Sequence, residues 1–91
     1  MALETYTAAM GDDNVVLSEA AQKCGCIQAT GANSAVRKLR FTAGVAGWWI
    51  VRNDTTGGYA VNCFITGGVE IAVLNGTSRT VYTDGVDFFG V

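Results

Sequence analysis

An all-β fold, a single antiparallel β-sandwich or small barrel of about eight short strands, follows from three observations. Glycine turns recur at short intervals in the second half of the chain: Gly67-Gly68, Asn75-Gly76 and Asp84-Gly85, preceded by Thr55-Thr56-Gly57-Gly58. Each can supply the positive φ that a tight hairpin turn demands. The runs between them are rich in Val, Ile, Tyr and Thr, residues that suit a pleated, half-buried surface. The chain also has no proline, as expected where most backbone N–H groups enter ladders.

Met1 to Asp13 shows no clean period and reads as an N-terminal arm ordered by a neighbour. The domain proper is then residues 14–91. Asn14 to Leu17 is a short apolar first strand. Ser18 to Lys23 can form one helical turn, with Ser18 as N-cap, Glu19 at the positive end and Gly25 as the stop. Cys26 to Ala29 is the next strand, and Thr30 to Ser34 a loop by composition. Val36 to Phe41 alternates, with Leu39 and Phe41 on one face and Lys38 and Arg40 on the other.

Gly47 to Asn53 is the strongest strand. Adjacent residues in a strand face opposite sides, so Trp48 and Trp49 cannot share one core. We expect Trp49 and Val51 to face inward and Trp48 and Ile50 outward. The strand therefore needs covering on both sides. Tyr59 to Ile65, Val69 to Leu74, Ser78 to Thr83 and Val86 to Val91 complete the set. Asn53, Gly57, Gly58, Gly67, Gly68, Asn75, Gly76, Asp84 and Gly85 are the expected turn-forming residues. Trp48, Ile50, Tyr82, Phe88 and Phe89 are the expected interface residues.

Composition points to that interface. Apolar residues with glycine, tyrosine excluded, make about 59% of the chain, against about 45–50% in ordinary domains. Between Phe41 and Ser78 the only charges are Arg52, Asp54 and Glu70. A domain of 91 residues buries only about 60–65% of its unfolded surface, so burial against other subunits is the expected remedy. A net charge of −2 argues against a nucleic-acid surface. The basic cluster Arg37, Lys38 and Arg40 is expected to be solvated or paired across a subunit contact rather than phosphate-binding. No apolar run reaches the length of a membrane span, and the first residues lack the pattern of a signal peptide.

Chemistry has little to build on. There is no histidine, so neither a Ser-His nor a Cys-His pair can form. Cys24-Gly25-Cys26 lacks further zinc ligands nearby, and its two thiols are too close in the chain for an unstrained bridge. Cys63 falls on a strand as a small buried hydrophobe. Asp84 and Asp87 flank a turn, where aspartate caps backbone. Asp12-Asp13-Asn14 lacks the spacing of a calcium loop. No catalytic residue, metal or cofactor is expected.

The stretch Trp49-x-Val51-x-Asn53-x-Thr55-Thr56-Gly57, followed by Val61, Cys63, Gly67-Gly68, Gly76-Thr77-Ser78 and Val81-Tyr82-x-Asp84-Gly85-Val86-Asp87, resembles a small β-domain of tailed-bacteriophage virion structural proteins, both tail fibres and capsid-associated proteins. Leu17 to Ala21 and Thr30-Gly31 resemble its less distinctive N-terminal half. The resemblance implies a non-enzymatic virion protein. The first expectation is a capsid decoration (cement) protein that forms a homo-oligomer, a trimer by analogy, and binds the major capsid protein. It would sit on the capsid surface after assembly in the host cytoplasm, with no nucleic acid and no membrane as partner. The alternative is a tail-associated receptor- or carbohydrate-binding β-module, whose stacking face would be built from Trp48, Trp49, Tyr59 and Tyr82.

Overall fold

The computed structural model describes residues 4–90. Its elements are β1 (Thr5–Ala9), β2 (Val15–Val16), α1 (Glu19–Gln22), β3 (Cys26–Thr30), β4 (Arg37–Arg40), β5 (Gly47–Asn53), β6 (Val61–Phe64), β7 (Ile71–Val73), β8 (Ser78–Thr83) and β9 (Phe88–Gly90). The protein is mostly β, as expected. The strands form two sheets, β1-β3-β5-β8-β9 (sheet A) and β2-β4-β6-β7 (sheet B), and neither closes into a barrel.

The antiparallel expectation is corrected. Both sheets are mixed. β1, β3 and β5 pair in parallel, as do β2, β4 and β6. The chain crosses from one sheet to the other at each step, so it winds through three stacked coils. Registers place Thr5 beside Cys26 and Cys26 beside Ile50, one coil apart each time. In sheet B, Val15, Leu39 and Cys63 stack at a constant spacing of 24 residues. Parallel neighbours need a long crossover, and here the intervening strand of the other sheet provides it. Only the end of the chain is antiparallel: β7 folds back on β6, β8 on β5, and β9 on β8.

The expected arm is corrected too, as far as it is described. Met1–Leu3 lie outside the described residues, as does Val91 of the last expected strand. Thr5–Ala9, however, is a full edge strand of sheet A, and Ala8 and Met10 are buried. The alternation of Tyr6, Ala8 and Met10 toward the interior is the signal that marks this strand.

The glycine turns divide into two kinds. Gly67-Gly68 and Asp84-Gly85 do join antiparallel partners, β6 to β7 and β8 to β9, through loops longer than two residues. Thr55–Gly58 and Asn75-Gly76 instead lie between strands of different sheets, as corners. Gly57 has φ +111°, and a Cβ there would lie 2.1 Å from the Asn33 carbonyl oxygen of the coil before it. Gly68 is equally confined, against the Val86 carbonyl.

Asn53 fixes these corners. Its fully buried amide donates to the carbonyls of Tyr59 (3.0 Å) and Val73 (2.9 Å) and accepts from the N–H and hydroxyl of Thr55. One side chain thus ties β5 to sheet B and satisfies four groups that burial would otherwise penalise. Asn75 adds a donor bond to the Thr55 carbonyl, 2.6 Å.

The helical turn forms with Ser18 as N-cap, its Oγ accepting from Ala21 N–H at 3.1 Å. It ends at Lys23 in the right-handed α region, not through Gly25. Gln22 rivets it down, donating to Thr42 Oγ1 and accepting from Thr42 N–H.

A single core draws on both sheets. Ile27, Ala29, Trp49, Val51, Val81 and Phe88 come from sheet A, and Leu39, Val61, Cys63 and Val73 from sheet B. Leu17, Phe41 and Ile65, again 24 residues apart, stack just past the strands of sheet B.

Candidate binding face

Strand alternation sends the two tryptophans to opposite sides of sheet A. Trp49 is buried, its ring centroid 4.7 Å from that of Phe41 and 6.3 Å from that of Phe88. Its indole N–H donates to the Gln22 carbonyl at 2.9 Å, the partner a buried tryptophan requires. Trp48 points outward and is 48% exposed.

Register turns Trp48 into part of a row. Trp48 pairs with Tyr82, and Tyr82 with Phe89. The Tyr82 and Phe89 rings stack with centroids 5.1 Å apart. These two are 45% and 41% exposed. With strands about 4.8 Å apart, the row crosses three strands and roughly 10 Å of sheet. The next row along the strands is Cys26, Ile50 and Thr80, all half-buried. Beyond it lie Gln28, Arg52 and Ser78. There Asp54 accepts from Arg52 Nε at 2.8 Å and from Gln28 Nε2 at 2.6 Å. The Gln28 and Arg52 bonds hold the Asp54 carboxyl below its ordinary range. The face thus grades from aromatic to charged, an apolar centre with a polar edge.

Four of the five expected interface residues share this outer face: Trp48, Ile50, Tyr82 and Phe89. Phe88 does not. It is 1% exposed and its ring sits 4.7 Å from that of Phe41. Two adjacent phenylalanines on a strand must diverge, and the interior takes Phe88. Of the proposed stacking face, Tyr59 is exposed but lies in the corner before β6, away from the row.

A cleft of about 430 Å³ adjoins the row at Trp48. α1 and its C-cap supply Glu19 and Lys23, and the segment between β4 and β5 supplies Thr42 and Val45. The isolated sequence motifs did not mark this cleft, because its walls come from two segments about 20 residues apart, joined by the Gln22–Thr42 bond.

Three further carboxylates are committed to structure. Asp12 accepts from the Ser34 N–H and hydroxyl, both 2.7 Å, and from Arg37. These bonds, led by the Ser34 N–H, lower its pKa to about 2. Glu70 pairs with Lys38 at 2.7 Å and accepts from Asn62, and both bonds lower its pKa. Asp84 caps its own turn through the N–H groups of Asp87 and Val86, which keep it below the ordinary range. Arg37 and Lys38 of the basic cluster are therefore paired within the chain, with Asp12 and Glu70, rather than across a subunit contact. Burial pushes the Cys63 thiol up to about 12, while Cys24 and Cys26 are half-buried free thiols. Among the described residues no group of three or more His, Cys, Asp or Glu side chains converges to hold a metal ion. Nor is any described helix long and apolar enough to cross a membrane.

No family model, curated protein or solved structure matches the chain.

Proposed function

We propose that this chain is a non-enzymatic virion structural module of tailed bacteriophages, a two-layer β-sandwich that acts as a capsid decoration protein. The observation that carries the reading is the Trp48–Tyr82–Phe89 row, which complements the sequence resemblance. Three adjacent aromatic side chains, each more than two-fifths exposed, are an uncommon outward use of residues that dominate interface energetics. Covering what remains exposed removes roughly 300 Å², worth about 7 kcal/mol gross at ~25 cal/mol per Å² before association costs. Binding only the assembled shell would stabilise that shell by mass action. The absence of histidine and the structural commitment of Asp12, Asp54, Glu70 and Asp84 favour a role without catalysis.

One observation favours a second reading, a tail-associated carbohydrate-binding module. Trp48 borders both the row and the cleft, and a tryptophan beside Glu19, Lys23 and Thr42 could stack a sugar ring while polar groups meet its hydroxyls. Trp48→Ala separates the two. Loss of co-sedimentation with purified capsids supports decoration. Retained capsid binding with lost retention on a glycan array supports the module. If the wild-type chain binds neither capsids nor glycans, both readings fail.

A further inference from the structure

Among the described residues, the first coil carries a strand edge with no partner strand. β1 pairs with β3 along all five of its residues in parallel register. Cys26 N–H donates to the Glu4 carbonyl and Met10 N–H to the Thr30 carbonyl. Those two bonds set the phase of the ladder. In a parallel pair, alternate residues of one strand direct both backbone groups to the partner. Tyr6 and Ala8 therefore face β3, and the N–H and C=O groups of Thr5, Thr7 and Ala9 point away from it.

Natural edges are usually blunted by charge, proline, a bulge, a cover or shortness. β1 has neither charge nor proline and pairs without a bulge, and no described strand lies on its outer side. The side chains of Thr5, Thr7 and Ala9 are exposed. The other edge strands are shorter: β9 and β7 have three residues and β2 has two. In the other sheet, Val16 of the edge strand β2 is 71% exposed.

We propose that this edge binds a second copy of itself, β1 against β1 in antiparallel register with Thr7 on the two-fold axis. Thr7 then faces Thr7, and Thr5 faces Ala9 in both directions. Those are hydrogen-bonded pairs, so six bonds use all six outward groups of each copy. The facing side chains are small and uncharged, and opposed threonines are a favourable cross-strand pair. A closed, isologous contact of this kind gives a dimer. A two-fold axis perpendicular to sheet A joins the two five-stranded sheets into one of ten strands. Both aromatic rows then lie on the same face, so a partner surface meets two of them at once, with the gain in avidity that linkage brings. The pairing does not depend on what covers those rows.

Sedimentation velocity on the full chain tests it, with Thr7→Pro as the main variant. Thr7 N–H is not used by β3, so proline there spares the ladder within the monomer. The wild type is expected to sediment as a dimer of the 9.5 kDa chain, and Thr7→Pro to weaken dimerisation at least ten-fold with an unchanged circular dichroism spectrum. If that variant loses its fold, Thr7→Lys keeps the amide and sets like charges against each other at the axis, with the same expected loss. Amide exchange is expected to show Thr5, Thr7 and Ala9 protected at high protein concentration and exchanging freely on dilution. A monomer at every concentration overturns the proposal, as does a trimer. So does a dimer that survives both substitutions or is lost with Trp48→Ala instead, and that last result would place the contact on the aromatic row.

Discussion

Trp49 and Phe88 lie inside the coil, and their immediate chain neighbours Trp48 and Phe89 lie on its outer surface. The inner pair meets Phe41 and closes one end of the core. The outer pair flanks Tyr82 on the exposed face of the sheet. The same residue types thus perform two tasks according to strand parity alone. Inside, an aromatic ring is held by contacts on every side and contributes to stability. Outside, most of its value is realised only when something else covers it. The comparison predicts that substitutions one position apart differ in kind, the inner ones acting on folding and the outer ones on association.

The largest effect belongs to Trp49. Trp49→Ala removes the ring that packs on Phe41, 4.7 Å away, and strands the Gln22 carbonyl that accepts its indole N–H. The expected cost is about 3–5 kcal/mol, a large share of the 5–15 kcal/mol typical of a small domain. Urea denaturation followed by circular dichroism measures it. A cost below about 1 kcal/mol would erase the distinction between the two faces.

Asn53→Ala comes next. Asn53 is also an inner-face residue, reading outward from Trp49 and Val51 along β5, but its contribution is polar. Truncation leaves the Tyr59 and Val73 carbonyls and the Thr55 N–H without the amide that matched them. Buried groups left so cost about 1–3 kcal/mol each when water cannot reach them, and partial hydration of the corner brings the expected total to about 2–4 kcal/mol. Asn53→Asp is expected to be at least as harmful, since a carboxylate cannot donate to two carbonyls. The same denaturation series decides it.

The faces were more legible in the sequence than the pairing. Gly47–Asn53 and Ser78–Thr83 form as strands over the expected spans, because alternating large apolar residues are a local signal. Which strand lies beside which is not local. A period of two is the same in parallel and antiparallel ladders, and a glycine turn at a corner has the same composition as one in a hairpin. The stacked coils do leave a trace, in the recurrence of Val15, Leu39 and Cys63 and of Leu17, Phe41 and Ile65 at a 24-residue spacing. Apolar residues substitute freely within such a stack, so only size and hydrophobicity repeat. Within the site, Trp48, Tyr82 and Phe89 were identifiable as aromatic residues, but their alignment in one row depends on the register of β5 with β8 and β9. Phe88 shows the limit: beside Phe89, its inward course is set by that register.

A smaller effect is expected from acid, which acts on the outside of the coil first. Asp12, Asp54, Glu70 and Asp84 all have folded-state pKa values below their ordinary ones. A depressed carboxylate contributes stability that is complete above its unfolded pKa and is lost as pH falls through the folded one. For Asp12 that window runs from its ordinary value of 3.8 down to about 2. Stability is therefore expected to be flat from pH 7 to about 5 and to fall below about 4. Asp12→Asn is expected to be less stable than wild type at pH 7, with the difference vanishing near pH 2. Thermal melts across that range check the sign. A difference that grows toward low pH would mean that Asp12 is not held by Ser34 and Arg37.

The smallest effect on folding is expected from the outer row. Trp48→Ala, Tyr82→Ala and Phe89→Ala each remove a ring already more than two-fifths exposed, so little buried area is lost and each should cost no more than about 1 kcal/mol of stability. Tyr82→Ala is expected to cost most of the three, because its ring lies between Trp48 and Phe89 and stacks on the latter. The same substitutions are expected to remove most of the binding to whatever surface covers the row, by ten-fold or more each, since central aromatic anchors dominate association. A triple variant that stays folded yet no longer binds completes the contrast with Trp49→Ala. If instead the triple variant unfolds, the outer rings belong to the stability of the single chain, and parity divides the aromatic residues by position without dividing them by task.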